Sequence, residues 1–174
     1  MPSFEAHLGR ESMRRLLMLL TAMIVAAGLT AAPAGAVDSP IGRIGQPLRV
    51  QFKGLIADVT VVSVEPSPIP PGFGYPPRPP RNQVWRANVV VQPVKVPVPY
   101  AMAITFQFRG VTPTGDAYEP RNTDAPDALQ AALTKAPPGS TVSGGVWWDC
   151  YRDLVSNVVL VDKITGEHLA QWNL

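Results

Sequence analysis

Residues 83–92 read QVWRANVVVQ, and this stretch decides the fold. Trp85, Ala87, Val89 and Val91 fall on one side of an extended chain, while Arg86, Asn88 and Gln92 fall on the other. A period of two with one apolar face is the signature of a strand that covers a core and turns its other face to water. The same alternation returns in residues 142–150, VSGGVWWDC, where Val142, Gly144, Val146, Trp148 and Cys150 share one face with Ser143, Trp147 and Asp149 opposite. It returns again where Met102, Ile104, Phe106 and Phe108 alternate with Thr105, Gln107 and Arg109, which predicts a strand over 102–109 followed by a turn at 113–116.

Outward from these, residues 48–52 and 55–64 read as strands, as do 157–162 and 168–172, the last two joined by a turn containing Thr165 and Gly166. Within 55–64, Ala57, Val59 and Val61 alternate with Asp58 and Thr60, but Val62 and Val64 are out of phase, which predicts a β-bulge or a strand that changes sheets. Pro93, Pro97 and Pro99 lack amide donors, so residues 94–100 form an edge or a connection. Helix is scarce. One short helix is expected from Pro126 to about Lys135, capped by Asp124, carrying Leu129 and Leu133 on one face and ended by Pro137, Pro138 and Gly139. About seven short strands separated by Pro and Gly clusters predict an all-β, Greek-key antiparallel β-sandwich, with a small closed barrel as the rival architecture.

The first 36 residues read as a processing signal. Arg14 and Arg15 precede an apolar run over residues 16–29, and Ala34, Gly35 and Ala36 supply an A-x-A site that places cleavage before Val37. Met13 would start a compact signal of ordinary proportions. The alternative is retention of residues 16–29 as an anchor, although the run is short for a membrane span. No Cys stands at the cleavage point to carry a lipid, so the expected product is secreted, into the medium or the cell wall, without a stable membrane anchor. The twin arginines leave the export route open between the general and the twin-arginine pathways.

Removing residues 1–36 from 174 leaves 138, the size of one domain with one core. The mature part, residues 37–174, carries twelve Lys and Arg against eleven Asp and Glu, which excludes the basic footprint of a nucleic-acid binder. Cys150 is the only cysteine, so no internal disulfide forms; its place on the apolar face of 142–150 directs it inward as a small buried residue, the other reading being an intermolecular bridge.

Pro137-Pro138-Gly139 followed by Gly144, Val146, Trp147, Trp148 and Asp149 resembles the P-x-G, Gly, aliphatic-aromatic-aromatic-Asp pattern of the small secreted immunogenic proteins of mycobacteria of the MPT-sixty-three type. Gln83-Val84-Trp85, with Ala87 and Val91, is a second match; residues 41–45 and 115–118, Leu169 and Trp172 are weaker ones. The resemblance implies an immunoglobulin-like sandwich and a secreted antigen of unsettled biochemical role, with binding rather than catalysis as its expected activity. It rests on packing and turn residues, and fold does not imply function. Cys150 stands where an aliphatic residue is usual, and the Pro-rich stretch before Gln83 is longer than in the relatives.

Catalytic chemistry has little to stand on. His168 is the one histidine of the mature chain and opens the last strand near the rim of the core; a nucleophile needs a base beside it, and no G-x-S-x-G elbow accompanies this histidine. Asp149, Asp153 and Asp162 are spread over different elements, and no cofactor or metal motif is present. The expected chain is therefore not an enzyme and needs no cofactor.

Two features point to a partner. Residues 66–81, PSPIPPGFGYPPRPPR, hold the backbone extended, and Phe73, Tyr75, Arg78 and Arg81 are residue types that anchor interfaces. The other reading of this loop is a connection folded over the sandwich that shields an edge. In the Trp147-Trp148 pair one ring must point outward, so Trp147 either contacts a partner or packs under a loop. The leading expectation is a non-catalytic module that binds a protein of the host or the cell envelope. The alternative is a carrier whose core, lined by Trp85, Phe106, Phe108 and Trp148, holds a small apolar or lipid-like ligand.

Overall fold

The computed structural model describes residues 39–174, with Tyr75 and Pro77 excepted. The expected signal segment, residues 1–36, lies outside the described residues, and residues 39–174 form one compact unit. Among the described residues nine strands and two short helices follow in order: β1 (Ile41–Arg43), β2 (Leu48–Phe52), β3 (Leu55–Pro66), β4 (Gln83–Lys95), α1 (Ala101–Thr105), β5 (Phe106–Val111), β6 (Ala117–Tyr118), α2 (Leu129–Thr134), β7 (Val142–Cys150), β8 (Asn157–Asp162) and β9 (His168–Asn173). They make two sheets, ordered β1-β9-β8-β5-β6 and β2-β3-β4-β7. Every pairing is antiparallel except that of β1 with β9. The result is a two-sheet sandwich resembling the immunoglobulin-like kind. Nine strands stand where about seven were expected, because β1 and β6 have only three and two residues, too few for alternation to register.

Alternation sorts side chains as the sequence predicts. Ala87, Val89 and Val91 of β4 and Val146, Trp148 and Cys150 of β7 are buried in one core with Phe106, Phe108, Val158, Leu160 and Trp172 of the opposite sheet. The phase slip in β3 is a bulge: the register shifts between Val61 and Ser63, and Val64 then stands opposite Ala87, back on the core side, while Val62 is exposed. The β2–β3 turn places Lys53 and Gly54 at φ 47° and 82°, the double left-handed geometry of a two-residue hairpin loop.

Two local expectations are corrected. Residues 102–105 are helical, and β5 begins only at Phe106. Tyr100 adopts a left-handed conformation at φ 65° after the prolines, and Ala101 N bonds Val98 O at 3.2 Å, so the chain coils for one turn before it can extend. Helix α2 starts at Leu129 rather than Pro126, and its N-cap is Ala128, with no side-chain cap. Asp124 stands four residues before this cap position and so does not cap the helix; its amide bonds Pro71 O at 2.8 Å.

The outer edge of β7 is closed by the chain between β6 and α2. Arg121 N bonds Trp147 O and Gly145 N bonds Asp127 O, both at 2.8 Å, which satisfies backbone groups an open edge would expose. Gly144 makes this approach fit, since a Cβ there would stand 2.6 Å from the backbone of Leu129.

Candidate functional site

Trp147 leaves β7 on the face turned away from the main core, yet it is only 3% exposed. A second, smaller apolar cluster covers it, made of Phe73, Val84, Ala125 and Ala128. The Arg86 guanidinium lies 4.9 Å from the centre of the Trp147 ring and pairs with Asp127 at 2.6 Å. Gly145 leaves room for the ring, because a Cβ there would meet it at 2.5 Å. The indole Nε1 donates to Ser67 Oγ at 3.1 Å, so the ring's polar atom is satisfied beneath the cover.

The Pro-rich segment is that cover. It is a strap laid across the outside of β4 and β7 and held at both ends and around Phe73. Ser67 N bonds Val84 O at 2.9 Å, Gly74 N bonds Asn122 O at 2.8 Å, Thr123 Oγ1 donates to Pro71 O at 2.7 Å, and Arg81 N donates to Asp149 Oδ1 at 3.0 Å. Gly72 and Gly74, at φ 66° and 69°, turn the backbone on either side of Phe73 and drive that ring downward.

This geometry corrects part of the reading of the loop. Phe73 is not presented to solvent; it is 3% exposed and packs on Trp147, because an apolar ring flanked by two flexible glycines gains more from burial than from display. Trp147 is found under the loop, the second of its two readings. Tyr75 lies outside the described residues. Arg78 and Arg81 are exposed, as are Pro68, Ile69, Pro76 and Pro79. The Arg81 guanidinium sits 4.3 Å from the centre of the Tyr151 ring, and Arg152 approaches the same ring at 5.7 Å. Tyr151 and Arg152 escaped the sequence reading, although an aromatic-Arg pair directly after a strand is the signal that would have found them.

A cleft of about 360 Å³ opens beside the strap, bordered by β5, β7, α2 and the chain over 120–123. The aromatic residues expected to line a cavity for an apolar ligand are disposed otherwise. Trp148, Phe106 and Phe108 are buried in the core, and Trp85 is half-buried and packed against it. Phe106 and Phe108 also border the cleft.

The candidate chemical groups stand apart. Burial, reinforced by the neighbouring Asp149, pushes the Cys150 thiol up to about 12, so it carries no thiolate near neutrality. His168 opens β9 and is half-buried; the Ser39 hydroxyl donates to its main-chain carbonyl, and its Nε2 meets no hydrogen-bond partner among the described residues. Asp162 belongs to the β8–β9 turn, where its carboxylate accepts from the Thr165 amide at 3.0 Å and hydroxyl at 2.7 Å. Among the described residues no three or more His, Cys, Asp or Glu gather where a metal could be held, and no helix is long and apolar enough to cross a membrane.

No protein-family model and no curated protein matches the chain. Among solved structures, the fold is similar to that of MPT63, a secreted protein from Mycobacterium tuberculosis, with a TM-score of 0.63 and 20% identity over 80% of this chain and 100% of that one. At that identity the likeness is one of fold: the chain has the two-sheet sandwich of a secreted mycobacterial protein.

Proposed function

We propose that this chain acts outside the cell as a non-catalytic binding module, and that the exposed side of the strap contacts a protein partner. The observation that carries this reading is the pinning of the strap. Phe73 is locked into the cluster around Trp147 and Arg81 N is bonded to Asp149, so the exposed Pro76, Arg78 and Pro79 lie between two anchored points. A surface ordered in advance loses little entropy on association, and Arg beside Tyr is a pairing that interfaces favour. Tyr151, with Arg81 and Arg152 against its ring, extends the surface beyond the strap. The likeness to a secreted protein supports an extracellular setting.

The test is a photo-cross-linker placed at Ile69, used against envelope and host-cell extracts, followed by titration of the captured partner against the purified chain. The double variant R78A/R81A should weaken that two-component affinity by about 30-fold, the loss expected from an interface anchor. Unchanged affinity with the double variant would place the contact elsewhere and overturn this reading.

A further inference from the structure

The cleft between β5 and β7 opens onto the edge of the core, whose side chains form its floor. Its apolar floor comes from Phe106, Phe108, Leu129, Leu133 and Val146. Two cations, Arg121 and Lys163, border it, and among the described residues no carboxylate lines it. Arg49, Arg86, Arg109 and Arg152 each pair with an acidic side chain, whereas neither Arg121 nor Lys163 has an ion-pair partner among the described residues. Of the acidic residues flanking the lining in sequence, Glu119 pairs with Arg109 at 2.9 Å and accepts from the rim residue Gln107 at 2.6 Å, Asp127 pairs with Arg86, and Asp124 lies against Gly72 of the strap. Arg121 Nε is buried with no acceptor among the described residues, and its guanidinium packs beside Gly74 of the strap and 5.8 Å from the centre of the Phe73 ring.

We propose that this cleft binds a small amphipathic anion, a carboxylate-headed molecule with a short apolar body. The head would meet Arg121, whose guanidinium fork matches a carboxylate, with Lys163 adding a second positive charge. Asn122 stands on the same rim, while the amide nitrogens of Gln107 and Gln130 donate to Glu119 at 2.6 Å and to the Ala103 carbonyl at 2.7 Å. The body would lie on the phenylalanine and leucine floor. A volume of about 360 Å³ is near the lower end for ligand sites and suits a short chain or a single ring rather than a long acyl tail. This site is separate from the strap's exposed side and stands or falls independently of the partner reading.

Octanoate is the probe, titrated into protein purified from cells expressing the full chain and followed by two-dimensional amide NMR. Octylammonium and inorganic phosphate serve as the cation with the same body and the anion without one. Saturable shifts at Gln107, Asn122, Gln130 and Val146 are expected with octanoate, with binding at least about tenfold weaker for either control. Arg121→Gln and the exposed Lys163→Gln should each weaken octanoate binding; the lysine variant decides the matter if the arginine variant does not fold. The proposal is overturned by an absence of saturable shifts, by shifts outside the cleft, by equal binding of octylammonium or phosphate, or by undiminished binding to Lys163→Gln.

Discussion

The indole Nε1 of Trp148, on β7, donates to the main-chain carbonyl of Phe108, on β5, at 3.0 Å and fully buried, so one hydrogen bond crosses the core and ties the two sheets together. Around it, Gly110 of β5 leaves the space that the Trp148 ring occupies, since a Cβ there would come within 3.1 Å of that ring.

Trp148→Phe should therefore cost about 2–4 kcal/mol, the sum of a cavity and a buried carbonyl left without its donor. Urea denaturation with an unchanged slope is the measurement. A loss below about 0.5 kcal/mol, the scale of an exposed substitution, would mean that the crossing bond contributes little.

Phe73→Ala should destabilise the chain by about 3 kcal/mol, as expected for an aromatic removed from a packed cluster, and should loosen the strap. Limited trypsin digestion provides the second readout, because Arg81 is followed by Asn82 and should be cleaved faster in the variant. Arg78→Ala, at an exposed position, should change stability by no more than about 0.5 kcal/mol. Equal effects of the two substitutions would show that Phe73 does not hold the strap down.

Cys150 should be silent toward thiol reagents in the native state at pH 8 and react only at the rate of unfolding, since burial raises its ionisation to about 12. Its folded value lies above the ordinary 9.0, so its contribution to stability is complete below 9.0 and is lost as pH rises from there towards 12. Cys150→Val should flatten the fall in stability over that alkaline range. A native thiol that reacts promptly at pH 8 would contradict the buried position.

Asp162 behaves in the opposite sense. Burial works to raise its pKa, but the Thr165 hydroxyl and amide, the Ile164 amide and the charge of Lys53 together outweigh burial and hold it below 3.8. A depressed folded value means that its contribution is present above 3.8 and disappears as pH falls through the folded pKa. Asp162→Asn should cost about 1–2 kcal/mol at neutral pH and converge with the unsubstituted chain in acid. A constant difference across the acid range would show that the carboxylate's charge is not what Thr165 recognises.

Strands β4 and β7 and the inward direction of Cys150 were legible because a period of two reports burial on one face directly. So was the bulge in β3, since Val62 and Val64 break phase in the sequence just where the register shifts. The one-turn helix before β5 was hidden: Met102 and Ile104 continue the alternation of Phe106 and Phe108, and the coil depends on the left-handed Tyr100 that follows the prolines. At the strap, composition correctly marked an extended, Pro-rich segment, but composition cannot say which of its side chains face in. Phe73 has the chemistry of an interface anchor and is used as an internal one.

From the sequence alone came the all-β class, the approximate limits of the main strands, the near-neutral charge balance of residues 37–174 and the placement of Trp148 and Cys150 toward the core, because each follows from local patterning or composition. Only the tertiary structure decided that the strap lies over Trp147, that Arg81 meets Tyr151, and that Arg121 and Lys163 border one cleft. Those facts join residues tens of positions apart in sequence, and it is the register and packing of whole sheets, rather than the preferences of any one segment, that brings them together.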